Sequence, residues 1–168
     1  MTNLYQNPEI SRTYTNKRKH TTDVVLSNIP KEQVDSHFKE FYKDIFIESS
    51  LIGEIVEMTV CENHNDHLNG NVYIKFKNEE SARKARDIFS TRWYDSKPVY
   101  CELSPVTDFR ESCCRQHDEN SCGRGGMCNF MHVKRPDKDL LNELQLSQRK
   151  YYEGKKEESR NQEESKSS

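Results

Sequence analysis

The chain has 168 residues, with 28 Asp and Glu against 26 Lys and Arg and a formal net charge of -2. That length accommodates one domain of ordinary size plus a small appendage and excludes a large second core. Hydrophobic residues make up 32% and charged residues another 32%, so much of the chain is expected as solvated helix, loop or tail. The near-neutral balance also excludes wholesale electrostatic capture of nucleic acid, and leaves room only for local contacts.

No apolar run approaches the length needed to cross a bilayer, and the first residues lack a charged-then-apolar leader pattern. The six cysteines are therefore expected as thiols or metal ligands and not as a disulfide framework. Four of them, Cys113, Cys114, Cys122 and Cys128, crowd into one segment with His132. Cys61 and Cys101 fall in apolar runs and are expected as buried structural thiols.

In chain order, residues 1–22 show no sustained periodicity and are expected to form an arm. It contains the basic cluster Lys17-Arg18-Lys19-His20, either a short nuclear-entry signal, a phosphate contact or simply solvated surface. Residues 23–29 form a β-branched apolar run ending at Pro30 and predict a central strand. From Lys31 the period changes: Val34, Phe38, Phe41, Tyr42 and Ile45 make one helical stripe, and acidic residues occupy other faces.

Gly53 breaks that helix. Strands follow at 55–61 and 70–76, separated by a polar loop at 62–68. Asn78 is placed to cap a second helix, whose first turn carries Glu79 and Glu80 and whose Ala82, Ala85, Ile88 and Phe89 share a face. A turn at 95–98 leads to a fourth strand at 99–103. The order β-α-β-β-α-β is that of an RRM-type domain, here 23–105, an α+β fold with helices packed on one face of an antiparallel sheet.

An RRM reads RNA by stacking bases on sheet aromatics. Here only Tyr73 keeps such a ring, while Asn71 and Val25 occupy the other positions, so the sheet is poorly equipped for stacking. Tyr73 is expected instead to pack beneath the fourth strand or the flanking segments. On the helical side, Arg92-Trp93-Tyr94 and the acidic first helix suit a peptide that carries Trp beside Arg or Lys. From composition alone the blander reading, a solvated helix plus an Arg-aromatic pair closing a core, is favoured.

The spacing Cys-x7-Cys-x5-Cys-x3-His, ending at Cys122, Cys128 and His132, is a tetrahedral S3N set of the kind zinc prefers, within a finger expected over 109–133. Cys113 and Cys114 compete for the first position. Four protein ligands leave no open position for hydrolytic water, and no nucleophile–base pair or phosphate loop appears, so no enzyme is expected. A short glycine-rich finger of this kind needs its metal to fold, and its core is expected to be separate from that of the RRM-type domain. Arg115, His117, Arg124, Gly125, Gly126 and Phe130 lie around the ligands. They read either as an RNA contact surface or as finger packing and solvated charge. A helix is expected over 136–152 using Leu140, Leu141, Leu144 and Leu146, then a charged disordered tail over 153–168.

The stretches at 102–116, at 125–132 and at 66–73 resemble the small subunit of the U2 snRNP auxiliary factor (U2AF), a splicing-factor family that recognises the 3′ splice site in the nucleus. The resemblance selects Cys114 as the first zinc ligand and implies that the RRM-like domain is a U2AF homology motif, which binds a Trp-bearing peptide of the U2AF large subunit. It makes Arg92-Trp93-Tyr94 the Arg-x-aromatic motif, with Tyr94 where Phe is usual, and Glu40, Asp44 and Glu48 candidates for the partner's basic residues. It implies a finger that contacts 3′ splice-site pre-mRNA, with His117 where an aromatic is common. Family members ordinarily carry another such finger before the RRM-like domain, and this sequence starts after it, so it resembles a form without that finger. The alternative implied use is a protein-only adaptor that occupies the large subunit without reading RNA itself.

Overall fold

Two strands, β1 (Ile10–Asn16) and β2 (Thr21–Leu26), pair antiparallel with Ser11 opposite Val25. The computed structural model describes residues 1–16 and 21–166, and for residues 11–16 and 21–25 it describes the backbone alone. The basic cluster Lys17-Arg18-Lys19-His20 lies outside the described residues.

The β2 pairing corrects the expected position of the first central strand. Residues of the 23–29 run enter this hairpin, and the place beside the central sheet is taken by residues 1–5. Met1 and Val72 exchange two main-chain bonds, each 2.8 Å, Leu4 N–H reaches Gly70 O at 2.8 Å, and Thr2 N–H reaches Tyr100 O at 3.0 Å. Leu4 and Tyr5 are buried, and the Tyr5 ring lies 4.9 Å from Phe41 and 5.4 Å from Phe38. So 1–22 is not a free arm. Met1, Leu4 and Tyr5 are too few, and too interrupted by Asn3 at φ 48°, to register as a period-two strand in sequence.

α1 (Lys31–Ile52) begins after Pro30, whose missing N–H costs nothing there, and buries Val34, Phe38, Phe41, Tyr42, Ile45, Phe46 and Ser49. This is the expected stripe. β3 (Ile55–Cys61) and β4 (Val72–Phe76) pair antiparallel, with Thr59 opposite Tyr73. α2 (Glu79–Phe89) is capped by Asn78, whose Oδ1 accepts from Ser81 N–H at 2.8 Å. The helices pack with β3 and β4 around one core that includes Phe38, Phe41, Met58, Val60, Val72, Ala85 and Phe89.

A tight hairpin follows, β5 (Trp93–Tyr94) with β6 (Lys97–Pro98). Its two turn residues, Asp95 and Ser96, both adopt positive φ, 47° and 63°, the twist that two-residue hairpins require. The expected fourth strand at 99–103 is reduced to one bridge, Tyr100 opposite Thr2. The β-α-β-β-α-β order survives with its first strand displaced to residues 1–5.

The finger adds α3 (Arg115–Asp118) and β7 (Val133–Lys134). β7 pairs with β3, Cys61 opposite Val133, so the three-stranded sheet runs β4-β3-β7. Chain elements on both sides of this joint share a second core of Cys61, Leu68, Phe109 and Met131, against which Tyr73, Cys113 and Val133 pack. The expectation of a finger with a separate core is thereby overturned.

α4 spans Lys138–Lys166. Its first half docks: Leu144 is buried, Leu140 and Leu141 pack on the core, Gln148 exchanges two bonds with the Ile55 backbone at 2.8 and 3.0 Å, and Tyr152 OH donates to Ser50 O at 2.6 Å. Leu146, expected on the same stripe, is exposed. The helix continues through most of the segment expected as a disordered tail. Glu, Lys, Arg and Gln propagate a helix well once a docked half has nucleated it, without any burial of their own.

Candidate metal centre and partner surface

Cys114 lies at the start of α3, Cys122 and Cys128 in the loop that follows, and His132 just before β7. Their ligand atoms all lie within 4.8 Å of one another, and Cys114 and Cys128 sulfurs are 3.9 Å apart. Cys113 is outside this group, its Sγ donating to Phe109 O at 3.1 Å. The geometry therefore selects Cys114. The His132 Nε2 atom is buried without a hydrogen-bond partner, an arrangement that is costly for a polar atom unless a cation occupies the space it faces. Three soft sulfurs and one imidazole suit Zn2+, and four protein ligands close its coordination, so the ion would supply a structural crosslink.

The electrostatics favour the ligand-ready form at His132 and Cys122 but not at Cys114. Burial holds the His132 imidazole below its usual value, so it is neutral. The Cys122 thiol is pulled down to about 7, first by the Arg124 backbone N–H. Burial instead pushes the Cys114 thiol up, although the His117 N–H donates to its sulfur at 3.4 Å. Cys61, away from the cluster, is fully buried and pushed up to about 12 by burial, as a structural thiol should be.

Residues that sequence reasoning passed over tie the finger to the sheet. Asn63 Oδ1 accepts from His132 N–H at 2.8 Å while its Nδ2 donates to Phe130 O at 2.9 Å and Cys128 O at 3.1 Å. Asn65 Nδ2 also donates to Cys128 O, at 2.7 Å. Both amides sit in what sequence marks only as a polar loop. No period or spacing distinguishes a buried clamp from solvated Asn there.

The six predicted RNA-contact residues separate into two groups. Arg115, Arg124, Gly125 and Phe130 are exposed; Phe130 is 48% exposed, with the Arg124 guanidinium 5.9 Å from its ring centre. Gly126 and His117 are engaged internally. A Cβ on Gly126 would lie 2.3 Å from the His64 ring, and Gly126 O accepts from His64 N–H at 2.7 Å. His117 stacks on His132 at 3.9 Å and meets Glu62 Oε1 at 3.0 Å. Tyr73, as expected, is covered by a flanking segment: its ring lies 5.7 Å from Phe109.

On the helical side, Arg92 reaches Glu48 at 2.8 Å, and Tyr94 packs edge-on against Phe41 with its hydroxyl 3.4 Å from Asp44. Desolvation, then Asp44, pushes the Tyr94 phenol up to about 12. Glu40 is exposed on α1. Trp93 projects from the hairpin with 70% of its surface exposed. Arg92, Tyr94, Asp44 and Glu48 are thus brought together, and Trp93 is held away from them.

An RRM-like domain with a Cys3His finger fixed to its sheet edge defines the class of protein. No family model matches the chain. It is 55% identical over 121 residues to the splicing factor U2AF 23 kDa subunit of Schizosaccharomyces pombe, covering 72% of this chain and 56% of that protein. It is 45% identical over 149 residues to the splicing factor U2af 38 kDa subunit of Drosophila melanogaster, covering 88% and 54%. It is 44% identical over 144 residues to the splicing factor U2AF 26 kDa subunit of Homo sapiens, covering 84% and 62%. The chain belongs to the U2AF small-subunit family. It spans a little over half the length of these relatives.

Proposed function

We propose that this protein is a nuclear pre-mRNA splicing-factor subunit that pairs with the U2AF large subunit and lends its zinc finger to 3′ splice-site RNA. The observation that carries the pairing is Trp93, a largely exposed indole on a tight hairpin. Exposed aromatics of this kind anchor interfaces by filling a partner's pocket. Asp44, Glu48 and the more distant Glu40 supply negative charge for a basic peptide, with Arg92 and Tyr94 already orienting two of them. The finger's part rests on Phe130 as a base-stacking face, with Arg124 and Arg115 near enough to meet phosphate or base edges.

Calorimetry of the 168-residue chain against a Trp-bearing, Arg/Lys-rich peptide, and against 3′ splice-site RNA with and without that peptide, tests both parts. Phe130→Ala is expected to weaken RNA binding by about 1–3 kcal/mol and to leave peptide binding unchanged. Unaltered RNA affinity in folded Phe130→Ala, or no RNA binding by the parent, favours the adaptor reading. Absence of peptide binding overturns the pairing.

A further inference from the structure

The outer side of α1 presents a bare strip between two occupied flanks. On one flank α4 docks, Lys39 meeting Asp137 at 2.6 Å and Tyr152 OH donating to Ser50 O at 2.6 Å. On the other the hairpin docks, Arg92 meeting Glu48 at 2.8 Å and Tyr94 OH lying 3.4 Å from Asp44. The repeat of 3.6 residues per turn places Glu40, Lys43, Ile47 and Leu51 between these flanks, opposite the buried stripe from Val34 to Ser49.

Ile47 is 41% exposed and Leu51 52%, and neither packs on either core. A single exposed apolar side chain is ordinary. Here two stand one turn apart on the same ridge and make a continuous apolar spot on an otherwise charged face. Helix propensity does not account for Ile47, because Glu or Lys would serve better at a solvated position. The border of the spot is negative. Glu40 is exposed and, among the described residues, pairs with no cation, and Asp44 follows it on the adjoining ridge. No basic residue stands in the last turn of α1, so nothing within the helix offsets the negative end of its dipole beside Leu51.

We propose that this strip docks an amphipathic, basic helix of a partner protein, with apolar residues one turn apart over Ile47 and Leu51 and Arg or Lys along the edge that meets Glu40 and Asp44. A helix fits because its own i, i+4 ridges interdigitate with that of Ile47 and Leu51 at an axis separation of about 8–10 Å, and apolar anchors at this spacing are how helices are recognised. The basic edge follows from charge: cations are drawn to Glu40, Asp44 and the dipole end, and an acidic edge is repelled. The surface goes beyond the pairing proposed above, because Trp93 takes no part in it and Asp44 is only a shared border.

The test uses the 168-residue protein labelled at its Ile and Leu methyls. The probe is an acetylated, amidated peptide of about 18 residues, long enough to be helical, with Leu along one face, Arg along one edge and Ala elsewhere. A version with Glu in place of Arg is the control. Binding is expected to shift the methyl signals of Ile47 and Leu51, and the Glu control should bind at least tenfold more weakly. The double variant Ile47→Gln, Leu51→Gln, shown folded by circular dichroism, should lose tenfold or more in affinity for the Arg peptide and keep its affinity for the Trp-bearing peptide. The proposal is overturned by absence of binding up to about 1 mM, by binding that leaves those methyls unmoved, or by equal binding of the Glu control or of the double variant. Failure of the Trp-bearing peptide to bind the parent, with the Arg peptide bound as described, overturns the pairing alone.

Discussion

The side-chain amide of Asn63 holds the main chain of His132: Oδ1 accepts from the His132 N–H at 2.8 Å, and Nδ2 reaches back to Phe130 O at 2.9 Å. Asn63 is fully buried just past β3 and His132 belongs to the Cys3His group placed to hold a metal, so the sheet sets the position of that imidazole. Asn63→Ala leaves a buried donor and acceptor without partners, a cost of about 1–3 kcal/mol. We expect lower stability together with weaker zinc retention, read by denaturant titration and by competition with a chromophoric chelator. Asn63→Asp keeps the acceptor but buries a carboxylate oxygen against Phe130 O and Cys128 O, and should cost at least as much. Zinc affinity equal to the parent in folded Asn63→Ala would mean that the clamp does not position the ligand.

Chelation should be felt beyond the finger. Because β7 pairs with β3 and Phe109 and Met131 cover Cys61 and Tyr73, loss of the metal removes a sheet strand and part of a core together. One zinc per chain is expected by metal analysis. Chelator should then speed amide exchange at Val60 and Cys61 as well as over 114–132. If exchange rises only within the finger, the shared core contributes nothing to the stability of the sheet.

The parts that sequence reveals are those with a local period or a fixed ligand spacing. The α1 stripe, the Asn78 cap, the β3–β4 pair and the ligand set from Cys122 to His132 all have such a signature. The displaced first strand does not, because Met1, Leu4 and Tyr5 become a strand only through Val72, Gly70 and Tyr100, far away in the chain. Asn63 and Gly126 fail to show for the same reason: an Asn in a polar loop and a Gly in a glycine pair acquire their roles from His132 and His64. The helical continuation after Tyr152 is obscured differently. Lack of burial argues for disorder only where nothing nucleates the segment, and the docked turns around Leu144 and Gln148 do so.

Asp137 makes the docking of α4 sensitive to acid. Its carboxylate pairs with Lys39 of α1 at 2.6 Å and accepts from Leu140 N–H at 2.8 Å, and these contacts, Lys39 first, hold it below the usual carboxylate value. A depressed folded value means that the contribution is complete above the unfolded value near 3.8 and fades as pH falls through the lower folded one. Asp137→Asn keeps a cap oxygen but loses the charge. It should lower the urea midpoint at neutral pH, and the gap from the parent should close as the pH falls below the unfolded value near 3.8. A gap that is constant with pH would assign the effect to the cap alone.

Trp93 offers the sharpest separation of binding from folding. With 70% of its surface exposed, it contributes little to the core, so Trp93→Ala should change stability by less than about 0.5 kcal/mol. If it fills a pocket on the large subunit, the same change should remove about 2–4 kcal/mol of binding. Tyr94 is the contrasting case, because its ring packs on Phe41 and its truncation should cost both. Asp44→Lys and Glu48→Lys should act chiefly on association rate and its salt dependence, since exposed charges are screened. Calorimetry and stopped-flow binding of a Trp-bearing basic peptide, beside thermal unfolding of each variant, resolve the three behaviours. Full-strength peptide binding by folded Trp93→Ala would return the hairpin to a structural role and leave the partner surface to be sought elsewhere on the domain.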